Sequence, residues 1–354
     1  MDIKKRTVEF RPNSRNIFFH ILTQCNLRCM HCYINPDQHG TTILDKETIF
    51  QWLRLLVESE IDLKDLLGPH VAPKVNIPKN PGETNVIFLG GEPTMNPHLP
   101  QAIKEAKRLG CRSVTVDTNG FLFHDFLSRV SPDDLDFLSF SLDGSTPETN
   151  DPIRGKGVFE VCTNNLRHAV GKGFTTSLIF TASRRNILDL PNMAPLLVDL
   201  GVKHFFIQVI GIRGRSAQEG DSDLQVDMDQ WNQIVPAVAE TVAKNGIRVT
   251  YPKVYLDEQE AFACAGLVAD NYFVFPNGRV YRCPLCEDYP IHSLEIKGDR
   301  LAPRPPVRES DLFPLNIPEG CVLNKILHPG NIRYDEHGRP QNRIACCMLK
   351  EEVA

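Results

Sequence analysis

Cys25-Asn26-Leu27-Arg28-Cys29-Met30-His31-Cys32-Tyr33 follows closely on an apolar run, Ile17-Phe18-Phe19-His20-Ile21-Leu22. The pair reads as a strand that runs into a thiol-lined loop. Three cysteines at CxxxCxxC spacing can hold three irons of a [4Fe-4S] cluster and leave the fourth iron open to a second molecule. The loop therefore points to chemistry rather than to electron storage alone.

Outward from this loop, strand and helix patterns alternate. A helix is expected over 46–58 with Asp45 as its N-cap. Strands are expected over 85–89, 112–116, 136–142, 175–181 and 203–210, and helices over 98–109, 158–172, 188–200 and 229–245. Prolines 69, 73, 78 and 81 exclude a regular element across 61–84, which reads as an insertion. About six βα units in series imply a parallel sheet covered by helices. In such folds the chemistry collects at the carboxyl ends of the strands. The cysteine loop, Gly90-Gly91-Glu92-Pro93, Asp117-Thr118-Asn119-Gly120 and Asp143-Gly144 all fall at such ends.

The 354 residues, 42% of them hydrophobic, are enough for one α/β barrel and an appendage. The charge of −5 is well interspersed and offers no nucleic-acid tail or membrane patch. No apolar run reaches the ~18 residues of a membrane span, and no export signal follows the basic N-terminus. Eleven cysteines at metal-ligand spacing suggest a reduced, cytoplasmic protein that uses thiolates as ligands.

Cys25, Cys29 and Cys32 after a first strand, with the His31 ring before the last cysteine, resemble the signature of the radical S-adenosylmethionine (SAM) superfamily. Gly90-Gly91-Glu92-Pro93 after the second strand resembles the motif that meets the methionine amino group in that family. The resemblance covers residue 17 to about 245 and implies a partial (β/α)6 TIM-like barrel, spanning residues 1–250, with a [4Fe-4S] cluster and SAM as co-substrate. A Gly-Gly turn lets backbone carbonyls approach an ammonium, and Glu92 suits its charge. Arg154 is built for bidentate pairing with the SAM carboxylate; Ser141 adds a hydroxyl there. Thr118, Asn119 and Asp143 are candidates for the ribose. Tyr33 and the strand over 206–210 are candidates for the adenine. The implied chemistry is reductive cleavage of SAM to a 5′-deoxyadenosyl radical that takes a hydrogen atom from a substrate. The electron would come from a reducing protein such as flavodoxin or ferredoxin.

From about residue 251 the elements shorten and six cysteines gather. Cys264, then Gly278, then Cys283 resembles the start of a SPASM or twitch extension, placed at 251–354. An Asn277-Gly278 hairpin would bring Cys264 and Cys283 together, with Cys286 in reach. The later dense cysteine run of a full SPASM domain is absent. One auxiliary [4Fe-4S] cluster, on Cys264, Cys283, Cys286 and one of Cys321, Cys346 or Cys347, is the economical reading. It would serve oxidation or cross-linking. The stretch over 300–308 reads as an extended connector.

Plainer readings stand beside these. CxxxCxxC with His31 makes a zinc site, and Cys283-x2-Cys286 a zinc knuckle, in a non-catalytic binding protein. Glu92 can be a helix cap, Arg154 a solvated charge, and 117–120 only a turn. Cys111 and Cys162 read as core thiols, and His20, His168 and His204 as packed rings. Arg184-Arg185 and Arg213-x-Arg215 read as a solvated loop or as a grip on an anion. The substrate is a small molecule or a peptide, the latter making the protein a maturase. The short lead before the first strand and Pro284 after Cys283, where sulfatase-maturing relatives carry a catalytic aspartate, count against a peptide.

Overall fold

The computed structural model describes residues 3–11, 14–59, 61–62, 76–77, 80–123, 125–218, 224–257, 259–287, 292, 294–304 and 308–354. Thirteen strands among them form one sheet. In chain order they are β1 (Lys5–Val8), β2 (Arg15–His20), β3 (Thr84–Leu89), β4 (Ser113–Thr118), β5 (Phe137–Ser141), β6 (Thr176–Ala182) and β7 (His204–Val209). Then follow β8 (Arg248–Pro252), β9 (Asp270–Val274), β10 (Arg279–Tyr281), β11 (Leu294–Lys297), β12 (Arg300–Pro303) and β13 (Lys350–Val353). Across the sheet the order is β1-β13-β8-β7-β6-β5-β4-β3-β2-β9-β10-β11-β12.

The six expected strands, β2 to β7, run parallel and in sequence order, as a βα series requires. The α/β barrel class inferred from the sequence is the fold observed. Two parallel strands extend it: β8 beside β7, and β9 beside β2. β9 belongs to the cysteine-rich segment, so that segment continues the barrel sheet. A buried ion pair, Arg15 Nε to Asp270 Oδ2 at 2.8 Å, welds the two strands. The Tyr272 ring lies between the Arg15 and Arg282 guanidinium groups, at 5.7 and 5.3 Å.

Alternation along the strands sorts the two faces of the sheet. Ile17, Phe19, Val86, Phe88, Val114, Val116, Leu138, Phe140, Leu178, Phe180, Phe205 and Ile207 are buried in one core. The helices Lys46–Glu58, Leu99–Arg108, Val158–Gly171 and Met228–Ala243 contribute buried residues to it. Each such side chain contributes about 2 kcal/mol by leaving water. The opposite face mixes apolar side chains, such as the stacked Phe18 and Phe273, with polar pairs. Asn16 Nδ2 donates to Asn271 Oδ1 at 2.8 Å and Asn85 Nδ2 to Asn16 Oδ1 at 2.9 Å, while the Ser139 and Ser177 hydroxyls meet at 2.6 Å.

The Asp45 carboxylate caps its helix through Thr48 N at 2.7 Å, and Gly278 takes the left-handed φ of +80° that the Asn-Gly turn demands. Other expectations change. The helix anticipated over 188–200 is a 3-10 turn, Leu190–Asn192, followed by Met193–Asp199, because Pro191 has no N–H to donate. The connector over 300–308 begins as β12, paired antiparallel with β11, and 305–307 lie outside the described residues. Within 61–84, Ile61–Asp62 pairs with Asn76–Ile77, and 63–75 and 78–79 lie outside the described residues. Sequence patterning missed β13 and the edge strand β1, which add antiparallel beyond β8. No helix among the described residues is long and apolar enough to cross a membrane.

Candidate active site at the barrel rim

Residues 25–33 leave the end of β2 and turn across the carboxyl ends of the strands. Cys25, Cys29 and Cys32 are free, half-buried thiols. Cys25 Sγ accepts from Leu27 N at 3.4 Å and from Asn119 Nδ2 at 3.6 Å. Cys29 Sγ lies 3.8 Å from Arg154 O, and Met30 N donates to Ile153 O at 2.9 Å. Burial pushes the Cys25 thiol up to about 12 and the Cys29 thiol above its ordinary value. A bound cation deprotonates such thiols outright.

Gly90 and Gly91 pack against the backbone that leads into this loop. Gly91 N donates to Leu22 O at 3.1 Å and Glu92 N to Gln24 O at 2.9 Å. A Cβ on Gly91 would sit 2.0 Å from Gln24 O. Bare backbone is thus needed for strand-to-loop contact. The Glu92 carboxylate is fully buried and ties its own turn to the end of β4. Its Oε1 accepts from Thr94 N at 3.1 Å, Thr94 Oγ1 at 2.6 Å and Thr118 Oγ1 at 2.7 Å; its Oε2 accepts from Asn119 N at 2.7 Å. Burial outweighs these donors and leaves the carboxyl above its ordinary value. It also caps the short turn Pro93–Met95.

Asp143, just past β5, is fully buried. Its Oδ2 lies 2.8 Å from His31 Nε2 and 2.6 Å from Arg154 Nε, and its Oδ1 accepts from Thr181 N at 2.7 Å. Burial alone would raise this carboxyl; Arg154 and His31 outweigh it and hold it at about 2. Arg154 is buried rather than solvated, and the His31 Nε2 that a zinc reading would use is turned to Asp143. Ser141 is half-buried at the end of β5, above the core thiol Cys162, whose Sγ lies 3.8 Å from Ser141 O. Asp117, at the mouth of the strands, is pushed up to about 7 by burial, with the Glu92 charge adding to it.

The second cysteine group lies beside β9 and β10. Cys264, Cys283, Cys321, Cys346 and Cys347 line one small pocket, with Phe313, Leu323 and Met348 among its apolar walls. Cys286 is buried behind them, beside Cys283. The buried Glu309 carboxylate accepts from Arg282 N at 2.6 Å and Cys283 N at 3.2 Å. Lys350 Nζ donates to Cys347 O at 3.1 Å.

Sequence reading missed two features. One is the ring stack of His20, Phe275 and His39, at centroid distances of 3.9 and 4.0 Å. The other is the pair Arg213 and Arg215, neither a loose loop nor a free grip. Arg213 lies over the Tyr33 ring at 4.7 Å, and Arg215 Nη1 donates to Cys29 O at 3.2 Å. The Tyr33 hydroxyl meets His20 Nε2 at 3.0 Å. His168 is exposed, whereas His204 meets Thr250 Oγ1 at 2.8 Å.

The profile of the Radical SAM superfamily matches residues 73–197. The chain carries a radical SAM domain. The chain is 27% identical to the Fe-coproporphyrin III synthase of Methanosarcina barkeri over 230 residues, which is 64% of this chain and 51% of that protein. It is 26% identical over 287 residues to a probable GTP 3′,8-cyclase of Saccharolobus islandicus, covering 78% and 84%. The chain thus spans about half the length of the first relative. In fold it is similar to Streptococcus suis SuiB bound to precursor peptide SuiA, with a TM-score of 0.60 at 12% identity over 91% and 66% of the two chains. It is also similar to anSMEcpe with bound AdoMet, with a TM-score of 0.56 at 13% identity over 80% and 74%.

Gly90, Glu92, Thr118, Asn119, Ser141, Asp143 and Arg154 lie inside the matched span of the radical SAM domain; both cysteine groups lie outside it. Free thiols are the donor type that iron–sulfur centres take. Among the described residues no three His, Cys, Asp or Glu side chains converge tightly enough for a single metal ion. A four-iron cube takes its thiolates apart from one another, one on each corner iron. Three thiols on one rim loop, one of them receiving N–H donors, suit that demand.

Proposed function

We propose that the protein is a radical SAM enzyme whose [4Fe-4S] cluster is held by Cys25, Cys29 and Cys32. When bound and reduced, that cluster and SAM together supply a 5′-deoxyadenosyl radical able to take a hydrogen atom from a substrate. The observation that carries the reading is convergence. The ends of β4 and β5 meet the three-cysteine loop through Asn119 and Asp143, and the end of β3 meets Gln24, the residue just before that loop, through Glu92 N.

The residues divide the work. Glu92 places a buried negative charge beside the glycine turn and fixes Asn119 against Cys25. That charge suits the SAM ammonium. Asp143 orients Arg154, whose guanidinium suits the SAM carboxylate, with the Ser141 hydroxyl beside it. Thr118 and Asn119 are assigned to the ribose side, and Tyr33 to the adenine side. Asp117, one residue before Thr118, is hydrogen-bonded to Ser139 and raised to about 7 by burial.

The second centre is read as one auxiliary [4Fe-4S] cluster of SPASM or twitch type. Cys264, Cys283, Cys286, Cys321 and Cys346 are its candidate ligands, and Cys347 adds a further thiol on the same pocket. It would carry an electron for an oxidation or cross-link. The relatives similar in sequence are named for a coproporphyrin and for GTP, whereas the fold neighbours described with peptides, SuiB and anSMEcpe, are only 12–15% identical. That favours a small molecule over a peptide as substrate. A flavodoxin- or ferredoxin-like protein is the proposed electron donor.

Anaerobic reconstitution followed by iron and sulfide analysis and electron paramagnetic resonance tests the reading. A four-iron signal that changes when SAM is added, and disappears in Cys29→Ala, is expected. A protein that binds only zinc, or a signal indifferent to SAM, would overturn it.

A further inference from the structure

Arg213-Gly214-Arg215 follows β7, and its two arginines reach in different directions. Arg213 lies over the Tyr33 ring at 4.7 Å and sends Nη1 to Pro284 O and, at 2.9 Å, to Glu287 Oε2. Tyr33 is adjacent to Cys32; Pro284 and Glu287 are adjacent to Cys283 and Cys286. Arg215 stays with the first loop. Its backbone N–H donates to Cys32 O at 2.9 Å and its Nη1 to Cys29 O at 3.2 Å. Between them Gly214 has φ +59°, and a Cβ there would stand 2.5 Å from Cys32 O and 2.7 Å from Tyr33 Cα. Only glycine permits that approach.

A second connection runs parallel to this one. Tyr33 meets His20 Nε2, His20 and His39 both stack on the Phe275 ring, and His39 Nε2 lies 2.8 Å from Glu287 O. Glu287 and Tyr33 are therefore joined twice, once by charge and once by stacked rings. The Arg213–Glu287 contact is buried at the Glu287 end, where its carboxylate is 2% exposed. Such a charge-assisted pair in a shielded place is stronger and more directional than a surface pair.

We propose that Arg213-Gly214-Arg215 is a staple that fixes the second cysteine group against the first cysteine loop and places one positive charge beside each. The inference rests on reading both cysteine groups as iron–sulfur centres. Arg213 is a positioning residue: it touches the carbonyl and carboxylate next to the second group, not the thiols. A positive charge near an iron–sulfur centre stabilises its reduced, more negative form, so removing that charge lowers the reduction potential. Arg213 then governs the second centre and Arg215 the first.

The test uses the full chain, anaerobically reconstituted, as wild type, Arg213→Met, Arg213→Lys and Arg215→Met, with a Cys25/Cys29/Cys32 triple alanine variant to isolate the second centre. Redox titration followed by paramagnetic resonance reads each potential, and iron analysis reads occupancy. Arg213→Met is expected to lower the potential of the second centre at unchanged iron content. Arg213→Lys restores most of it, and Arg215→Met shifts the first centre instead. In the iron-free protein, hydrogen exchange at the Cys286 and Glu287 amides should quicken about tenfold in Arg213→Met, the scale of one lost charge-assisted hydrogen bond. Unchanged potentials and unchanged exchange in Arg213→Met overturn the staple while the iron content leaves the cluster reading standing. A triple alanine variant without iron overturns the second centre and the staple together.

Discussion

Asp143 Oδ2 stands 2.8 Å from His31 Nε2, which locks the end of β5 onto the ring between the second and third cysteines of the first loop. The same oxygen lies 2.6 Å from Arg154 Nε. One buried carboxylate thus orients both the cysteine loop and the arginine assigned to the co-substrate.

Replacing Asp143 by Asn leaves the buried Arg154 charge without its partner. Loss of one member of such a pair costs about 3–5 kcal/mol. Urea denaturation of the iron-free protein should show a loss of that order for Asp143→Asn. A loss below about 1 kcal/mol, the range of exposed pairs, would mean that the pair does not hold the rim together.

Gly91→Ala tests the strand-to-loop contact. Its Cβ would collide with Gln24 O at 2.0 Å, and backbone cannot swing away as a flexible side chain can. The expected result is a folded protein with less iron at the first centre and normal iron at the second. Full iron at both would show that residues 22–24 yield without cost.

The buried histidines set a pH dependence. Burial, with His39 nearby, holds His20 at about 3, and burial holds His39 and His204 at about 4. The ordinary histidine value is 6.5. At these rings the unfolded chain therefore binds more protons than the folded one between about 6.5 and 3. The histidines' share of stability is full above pH 6.5 and falls as the pH drops through that window, while Asp117 and Glu309, raised to about 7 by burial, gain protons on folding and offset part of that loss below pH 7. Asp143, held at about 2, adds a further loss only below its ordinary value of 3.8. Melting temperature of the iron-free protein from pH 7.5 to 4 measures this; a flat profile would contradict the burial of these rings.

Much of this was legible in the chain because it is local. Alternating apolar patterns located β2 to β7, and a strand end is where a loop motif must lie in a parallel sheet. Asp45 and Asn277-Gly278 announced a cap and a turn by composition alone. What was hidden depends on partners far apart in sequence. Arg154 reads as free for a ligand until Asp143 is seen against it. Arg213-x-Arg215 reads as a loose basic loop until Cys29, Cys32 and Glu287 close around it. β1, β12 and β13 are four residues each and carry too little periodicity to be recognised without the strand they join.

The central claim is that the loop of Cys25, Cys29 and Cys32 makes SAM reactive. Its most direct test is the yield of 5′-deoxyadenosine from anaerobically reconstituted, reduced protein incubated with SAM. The account predicts 5′-deoxyadenosine from the wild type and none from Cys29→Ala at equal protein. No product from wild type with its four-iron cluster verified, or equal product from Cys29→Ala, would contradict it.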